Sequence, residues 1–316
     1  MNTRRWGVVL WTVFGLFHAA AFADDSAPLK YKLAKGDKLI YRSKSEMKQT
    51  QTFAGMTIEN EMTNDSISSY TVDGVDEQGN FQMTVKAERL KVKATVGPLG
   101  DFEFDSQSSE RDKSSIIGAA LTPLYERMSG LVFQAKISPL GEVLEVKGYA
   151  EQLKDILANN PLGSQFSGGG TDEAAKQSLK ELFVKLPGKS LQPGDSWDTP
   201  SEVDLPNIGK TKSKSSYRYT GTEKINGRDA AKFEVTNETS VSLDIDQGGA
   251  KITGTISSTG ATGIIHFDLE TGRIVRVTGN ATLGGDLSID ANGMIIPLRN
   301  DQTVKATIEW LEKLPD

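Results

Sequence analysis

The chain has 316 residues, a formal net charge of -6 and no cysteine. It is long enough to bury a core unaided, and the missing thiols exclude disulfides, cysteine nucleophiles and cysteine-ligated zinc. With 42 Asp and Glu against 36 Lys and Arg, it is a poor match for nucleic acid or an anionic membrane.

The first residues read as an export signal. Arg4 and Arg5 precede the apolar run Trp6–Phe17, and Ala21-Phe22-Ala23 is a small-x-small site that predicts cleavage after Ala23. The run is shorter than the ~20 residues of a membrane span. Residues 1–23 are therefore set apart from the fold, and the expected localisation is the periplasm or the extracellular space.

Residues 24–148 form a first β-rich half. Leu33-Ala-Lys-Gly36-Asp37 is a turn before a strand with Leu39, Tyr41 and Ser43 on one face. Thr57–Val72 alternates weakly and reads as a polar ribbon whose register is loosely specified. Phe81, Met83 and Val85 alternate, then the apolar phase moves to Leu90, Val92, Ala94 and Val96, which predicts a β-bulge near Glu88-Arg89. Thr122 as N-cap and Pro123 at the first helical position predict a short helix carrying Leu124 and Met128. A hairpin follows, turning at Pro139–Glu142 and ending at Gly148.

Residues 149–187 differ from both flanks. Tyr149, Leu153, Ile156 and Leu157 share one face of a helix that Pro161 stops, and Leu162–Gly170 is a flexible link. Thr171 caps a second helix, with Asp172 and Glu173 in its first turn and Ala175, Leu179, Leu182, Phe183 and Leu186 as its apolar stripe up to Pro187. Two one-sided helices need an apolar surface to cover, and the sheet supplies it. The candidate binding stripe is Leu153, Ile156, Leu157, Leu179, Leu182, Phe183 and Leu186, which serves equally as ordinary core.

Residues 188–316 form a second β-rich half that echoes the first. Leu191-Gln-Pro-Gly194-Asp195-Ser-Trp197 repeats the Leu33–Leu39 pattern, Ser215-Ser-Tyr217 repeats Ser68-Ser-Tyr70, and Phe267–Gly279 repeats Ile137–Gly148. Three anchors in one order point to a duplication. Asn226-Gly227 and Asn292-Gly293 are hairpin signals, and Val304, Ala306, Ile308 and Trp310 mark one face of a final strand.

Together these motifs resemble a family of uncharacterised exported bacterial proteins, a domain of unknown function with a Leu-Pro…Gly-Asp-x-Trp signature. Here the signature is Leu186-Pro187 through Gly194-Asp195-Ser196-Trp197, with the Ile137–Val143 hairpin. The resemblance implies localisation and a β-rich fold, and no activity is attached to it.

Catalytic constellations are sparse. His266 is the one histidine beyond the signal, and strand alternation turns it away from the apolar face, toward solvent or a groove. Gly188-Lys189-Ser190 lacks the first glycine of a phosphate loop, and Ser288–Gly293 lacks the closing acid of a calcium loop. No metal or other cofactor is expected. The fold class is α+β, mainly β: two duplicated antiparallel units, as two sheets or one curled sheet, with the central helix pair against it. A curled sheet wrapped on helices looks like the lipoprotein-carrier fold of the bacterial periplasm, an analogy of fold alone. The expected function is a non-enzymatic envelope protein carrying an apolar small molecule. The alternatives are an interaction protein pairing with an envelope partner through the ribbon Thr57–Val72, and a hydrolase relying on His266.

Overall fold

The computed structural model describes residues 28–113, 115–158, 171–205, 209–247 and 250–315. The signal segment, its cleavage site and the Gly-rich link lie outside the described residues. In chain order the elements are β1 (Lys38–Phe53), β2 (Met56–Val75), β3 (Phe81–Val96), β4 (Gly100–Asp105), α1 (Ile116–Met128), β5 (Val132–Ile137), β6 (Val143–Lys147), α2 (Tyr149–Ala158) and α3 (Asp172–Leu182). Then come β7 (Ser196–Leu205), β8 (Gly209–Ile225), β9 (Arg228–Gln247), β10 (Ala250–Asp268), β11 (Arg273–Ala291) and β12 (Met294–Leu311).

All 12 strands belong to one antiparallel sheet, ordered β6-β5-β3-β2-β1-β12-β11-β10-β9-β8-β7, with β4 beside β3. The last strand closes back on the first, Tyr41 opposite Trp310 and Met47 opposite Val304. The two sequence halves therefore share a single sheet. The first half contributes β1 to β6 and the second β7 to β12, and the two meet where β1 pairs with β12.

The phase change in β3 is a bulge: Arg89 pairs with Ile67 and Ala87 with Ser68, leaving Glu88 between them. Asn226-Gly227 and Asn292-Gly293 turn with positive φ at both residues, as two-residue hairpins require. The ribbon expectation needs correction. β2 is hydrogen-bonded to β1 from Met56 to Thr71 and to β3 from Asn60 to Val75, so from Asn60 onward the ribbon is an interior strand and offers no free pairing edge.

The first helix starts earlier than its Pro123 suggested. Ser115 is the N-cap, accepting from the Gly118 amide at 2.9 Å, while the Thr122 hydroxyl donates to the Asp112 carbonyl and Pro123 sits inside the helix. Thr171 caps α3 as expected, accepting from the Ala174 amide. That helix ends at Leu182, however, so Phe183 and Leu186 lie on an extended tail beyond it. Phe183 leaves the helical region at φ -100, ψ 84, and its side chain is drawn into the core beside Tyr31 and Tyr70.

The tail of α3 spans the gap between the sheet's two edges. The Leu186 amide donates to the Leu140 carbonyl in the β5–β6 turn, and the Trp197 indole of β7 donates to the Lys185 carbonyl. Contacts from one short segment to the β5–β6 turn and to β7 require the sheet to curl and bring its two edges toward that segment. The segment before β1 straps the same end: the Tyr31 amide donates to the Pro139 carbonyl, and the Lys32 amide to the Gly272 carbonyl. The main core lies inside this curl, where Leu39, Val72, Met83, Phe233, Ile265 and Phe267 meet Leu179, Leu182, Phe183 and Leu186. A second cluster packs α1 and α2 on β3 and β4 through Val92, Phe102, Phe104, Leu124, Leu153 and Ile156.

Candidate functional site

The strand register sorts the side chains of the sheet into two faces. From Tyr41, the inner face runs along β1 through Ser43, Ser45, Met47, Gln49, Gln51 and Phe53. Their partners are Ser66, Asn64, Met62, Asn60, Ile58 and Met56 on β2, and Ile308, Ala306, Val304, Gln302, Asn300 and Leu298 on β12. The same face continues through Ala281, Leu283, Leu287 and Ile289 on β11, then Ile252, Gly254 and Ala261 on β10. It reaches Val241, Leu243 and Ile245 on β9, Thr211, Ser213 and Ser215 on β8, and Thr199, Ser201 and Val203 on β7.

None of these residues is Asp, Glu, Lys or Arg. The opposite face of the same strands carries Lys44, Glu46, Lys48, Glu59, Glu61, Lys210, Lys212, Glu238, Asp244, Asp246, Arg299 and Asp301. Its ion pairs include Lys48–Glu61 at 2.7 Å, Lys210–Glu202 at 2.8 Å, Lys251–Asp244 at 3.0 Å and Arg299–Asp301 at 2.6 Å. Arg42 beside Asp65 holds that carboxyl below its usual range, and Lys136 with Asn80 holds Asp76 far below it. The pair Asp244 and Asp246 thus belongs to the solvated face.

Both apolar clusters occupy the helix-bearing end of the inner face. Beyond them its aliphatic residues on β9 to β12 are mostly half-buried, shielded by the curl and by one another. The strand tips at this far end expose Met56, Leu99, Met294 and Ile295. The strand residues named on this long inner surface are accordingly apolar, hydroxyl or amide in character, and Lys180 of α3 reaches it at its helix-bearing end, 3.4 Å from Ser201 Oγ.

The helix stripe is placed elsewhere. Leu153 and Ile156 are buried in the α1–α2 cluster, and Leu179, Leu182, Phe183 and Leu186 in the main core. The Leu157 side chain lies outside the described residues. Helical periodicity marked Leu153, Ile156, Leu179 and Leu182 as a buried face, whereas Phe183 and Leu186 are buried from the extended tail.

His266 does lie on the outer face, yet it is 7% exposed, so the expectation of an open histidine is corrected. Neighbouring side chains cover it: Lys232 and Arg276 stand opposite on the flanking strands, and its Nε2 is 2.6 Å from Glu223 Oε1. Lys232 also pairs with Glu223 at 3.0 Å, and these two neighbours together hold the Glu223 carboxyl below its usual range. Among the described residues the imidazole meets the Glu223 carboxylate, which Lys232 shares, and no hydroxyl nucleophile stands within hydrogen-bond distance of it. Sequence reasoning missed the charge-free face because its signal is spread over eight strands and emerges only once the register joins them.

A model for the family of unknown function DUF6263 matches residues 78–274, more than half of the chain. The chain belongs to this family. The DUF6263 match runs from β3 to the start of β11, so it includes the three described α-helices and the aliphatic strands β9 and β10. The central strands β1, β2 and β12 lie outside it. No curated protein matches the sequence. Among solved structures, a lipovitellin described in terms of its lipid–protein interactions is similar over 90% of this chain at 11% identity, with a TM-score of 0.40. The chain spans 26% of that lipovitellin's length. The Pseudomonas aeruginosa protein OpdO is similar over 87% of this chain and 98% of its own, at 8% identity and a TM-score of 0.20. Salmonella typhi OmpF in complex with daunomycin covers 90% of this chain and 100% of its own, at 7% identity and a TM-score of 0.21. Among the described residues, no helix is long and apolar enough to cross a membrane.

Proposed function

We propose that this DUF6263 protein is an exported, non-enzymatic carrier that holds an apolar ligand against the inner face of its curled sheet. One observation carries the reading: charged side chains are confined to one face of the uncovered strands, while the other is free of them across the sheet. Removal from water of aliphatic surface contributes roughly 25 cal/mol per Å², and a surface without charges adds no penalty for unpaired ions. The site is therefore the half of the face beyond the helices. The helix stripe closes the other end as a packed plug, and residues 1–23 are the export signal, cleaved after Ala23.

The two meanders are read as a tandem duplication. Gly36 donates to the Val72 carbonyl and Gly194 to the Tyr219 carbonyl, each at 2.8 Å. The Asp37 carboxylate accepts from the Ala34 amide at 2.9 Å, and Asp195 from Gln192 at 3.0 Å. Register shifts follow at the same places, between Val72 and Gly74 and between Tyr219 and Gly221. Such a duplication doubles a half-sheet that could not curl around a ligand alone.

The test is binding of the neutral apolar dye N-phenyl-1-naphthylamine, together with mass spectrometry of lipids extracted from the purified protein. Saturable enhancement of the dye's emission is expected, lost in Leu243→Asp and Ile289→Asp but kept in Asp244→Asn on the opposite face. A protein that folds and leaves the dye in water would remove the carrier reading.

A further inference from the structure

Lys180 brings a cation to the inner face. It stands on α3 outside the apolar stripe, and its Nζ donates to Ser201 Oγ on β7 at 3.4 Å. Gln177 Nε2 donates to the same oxygen at 3.1 Å, and the Ser201 hydroxyl donates back to Gln177 Oε1 at 3.4 Å. Ser201 is half-buried on the inner face of β7, one step before Val203. Val203, 6% exposed, closes the β7 end of a row that runs straight across the sheet. Thr211, Val241 and Ile256 continue that row on β8, β9 and β10, each half-buried. Beyond them on the same face stand Leu243 and Ile252, half-buried as well.

That cation has no counter-charge. Among the described residues no carboxylate forms an ion pair with Lys180, whereas Lys185 on the tail of the same helix pairs with Glu142 at 3.1 Å. Lys180 is half-buried, and burial draws its ammonium below the usual lysine range. Glu173 and Glu142 push the other way without cancelling this, and Lys176 and Lys185 add to it. A partly desolvated ammonium without an anion is unfavourable, and an anion that reaches it forms a charge-assisted hydrogen bond. An ammonium has three N–H donors and Lys180 uses one on Ser201, while Gln177 keeps a second amide N–H. One cation and one neutral donor match a head group with a single negative charge. A neutral head would leave the ammonium unpaired, and a cationic one would be repelled.

Resting on the carrier reading, we propose that the ligand is a long-chain carboxylate. Its head pairs with Lys180 beside Ser201 and Gln177, and its alkyl chain crosses Thr211, Val241 and Ile256 toward Leu243 and Ile252. Three strand spacings of about 4.8 Å separate β7 from β10, so the chain has about 14 Å of face to cover.

The experiment is competitive displacement of N-phenyl-1-naphthylamine at neutral pH by two ligands of equal chain length, a fatty acid and a monoacylglycerol, both kept below their micelle range. The fatty acid should displace the dye at a concentration at least tenfold lower. Lys180→Met should shrink that advantage to under threefold while dye affinity is kept, and Lys185→Met, which removes a cation already paired with Glu142, should leave it intact. Equal or stronger displacement by the monoacylglycerol overturns the proposal, as does an undiminished preference in a folded Lys180→Met or an equal loss in Lys185→Met. If Lys180→Met does not fold, the wild-type comparison alone decides. Dye binding without head-group preference sinks only this proposal, whereas no dye binding at all removes the carrier reading with it.

Discussion

The indole N–H of Trp197 donates to the carbonyl of Lys185 at 2.9 Å, which ties the first turn of an edge strand to the tail of α3. The same ring stacks on Tyr217 at 5.1 Å and meets Phe233 edge-on at 5.4 Å. Phenylalanine keeps the stacking and removes the donor. Trp197→Phe should therefore lower unfolding free energy by about 1 kcal/mol, the net worth of one such bond, in urea titration. An unchanged midpoint would mean that the β7 edge is held by stacking alone.

The paired turns at Gly36 and Gly194 make a sharper comparison. Their φ angles are 95° and 103°, and an added Cβ meets nothing within 4 Å at either place. An alanine there suffers only from backbone strain, which for such conformations costs about 1–3 kcal/mol. Gly36→Ala and Gly194→Ala should destabilise by similar amounts, and the double variant by their sum to within about 0.5 kcal/mol. Unequal single effects would argue against equivalent turns.

The outer face predicts acid sensitivity. Asp65 beside Arg42, and Asp76 beside Lys136 and Asn80, have folded-state pKa values below their unfolded ones. Stability from such groups is fully present above the unfolded carboxylate pKa of about 4 and is lost as pH falls through the folded value. Melting temperature should thus be flat from neutral pH down to about 5 and fall progressively below about 4. Asp76→Asn should melt lower than wild type at pH 7, and the gap should narrow by pH 3. A constant gap would show that the Asn80 contact, and not the charge, carries the effect.

Local signals were legible in the sequence wherever a short segment decides its own geometry. The bulge at Glu88, the Asn-Gly turns, the Thr171 cap and the alternation of the final strand are of this kind. Pro123 misled because Ser115 offers a better cap eight residues upstream, leaving the proline inside the helix. The polar ribbon misled because its serines and asparagines face the inner side of a central strand, where the curl half-buries them without any apolar signal. The charge-free face was written in the sequence as alternation on each strand. Its continuity depends on β1 meeting β12, a pairing between opposite ends of the chain that no local pattern specifies.

The backbones of β10 and β11 approach closely at Gly285. A Cβ added to Gly285 would lie 2.1 Å from the Thr255 carbonyl oxygen and 2.8 Å from the Ile256 Cα. Both obstacles are backbone, so no side chain can swing aside, and the two strands would have to part. Overpacking of this kind costs about 1–3 kcal/mol or more. Gly260 on the same hairpin is the control, since nothing lies within 4 Å of its added Cβ. Gly285→Ala should lower the melting temperature and speed amide exchange along Gly254–Ser257, while Gly260→Ala should stay within about 0.5 kcal/mol of wild type. Equal stability of the two variants would mean that the β10–β11 pairing yields without loss, and that the curvature of the inner face is set elsewhere in the sheet.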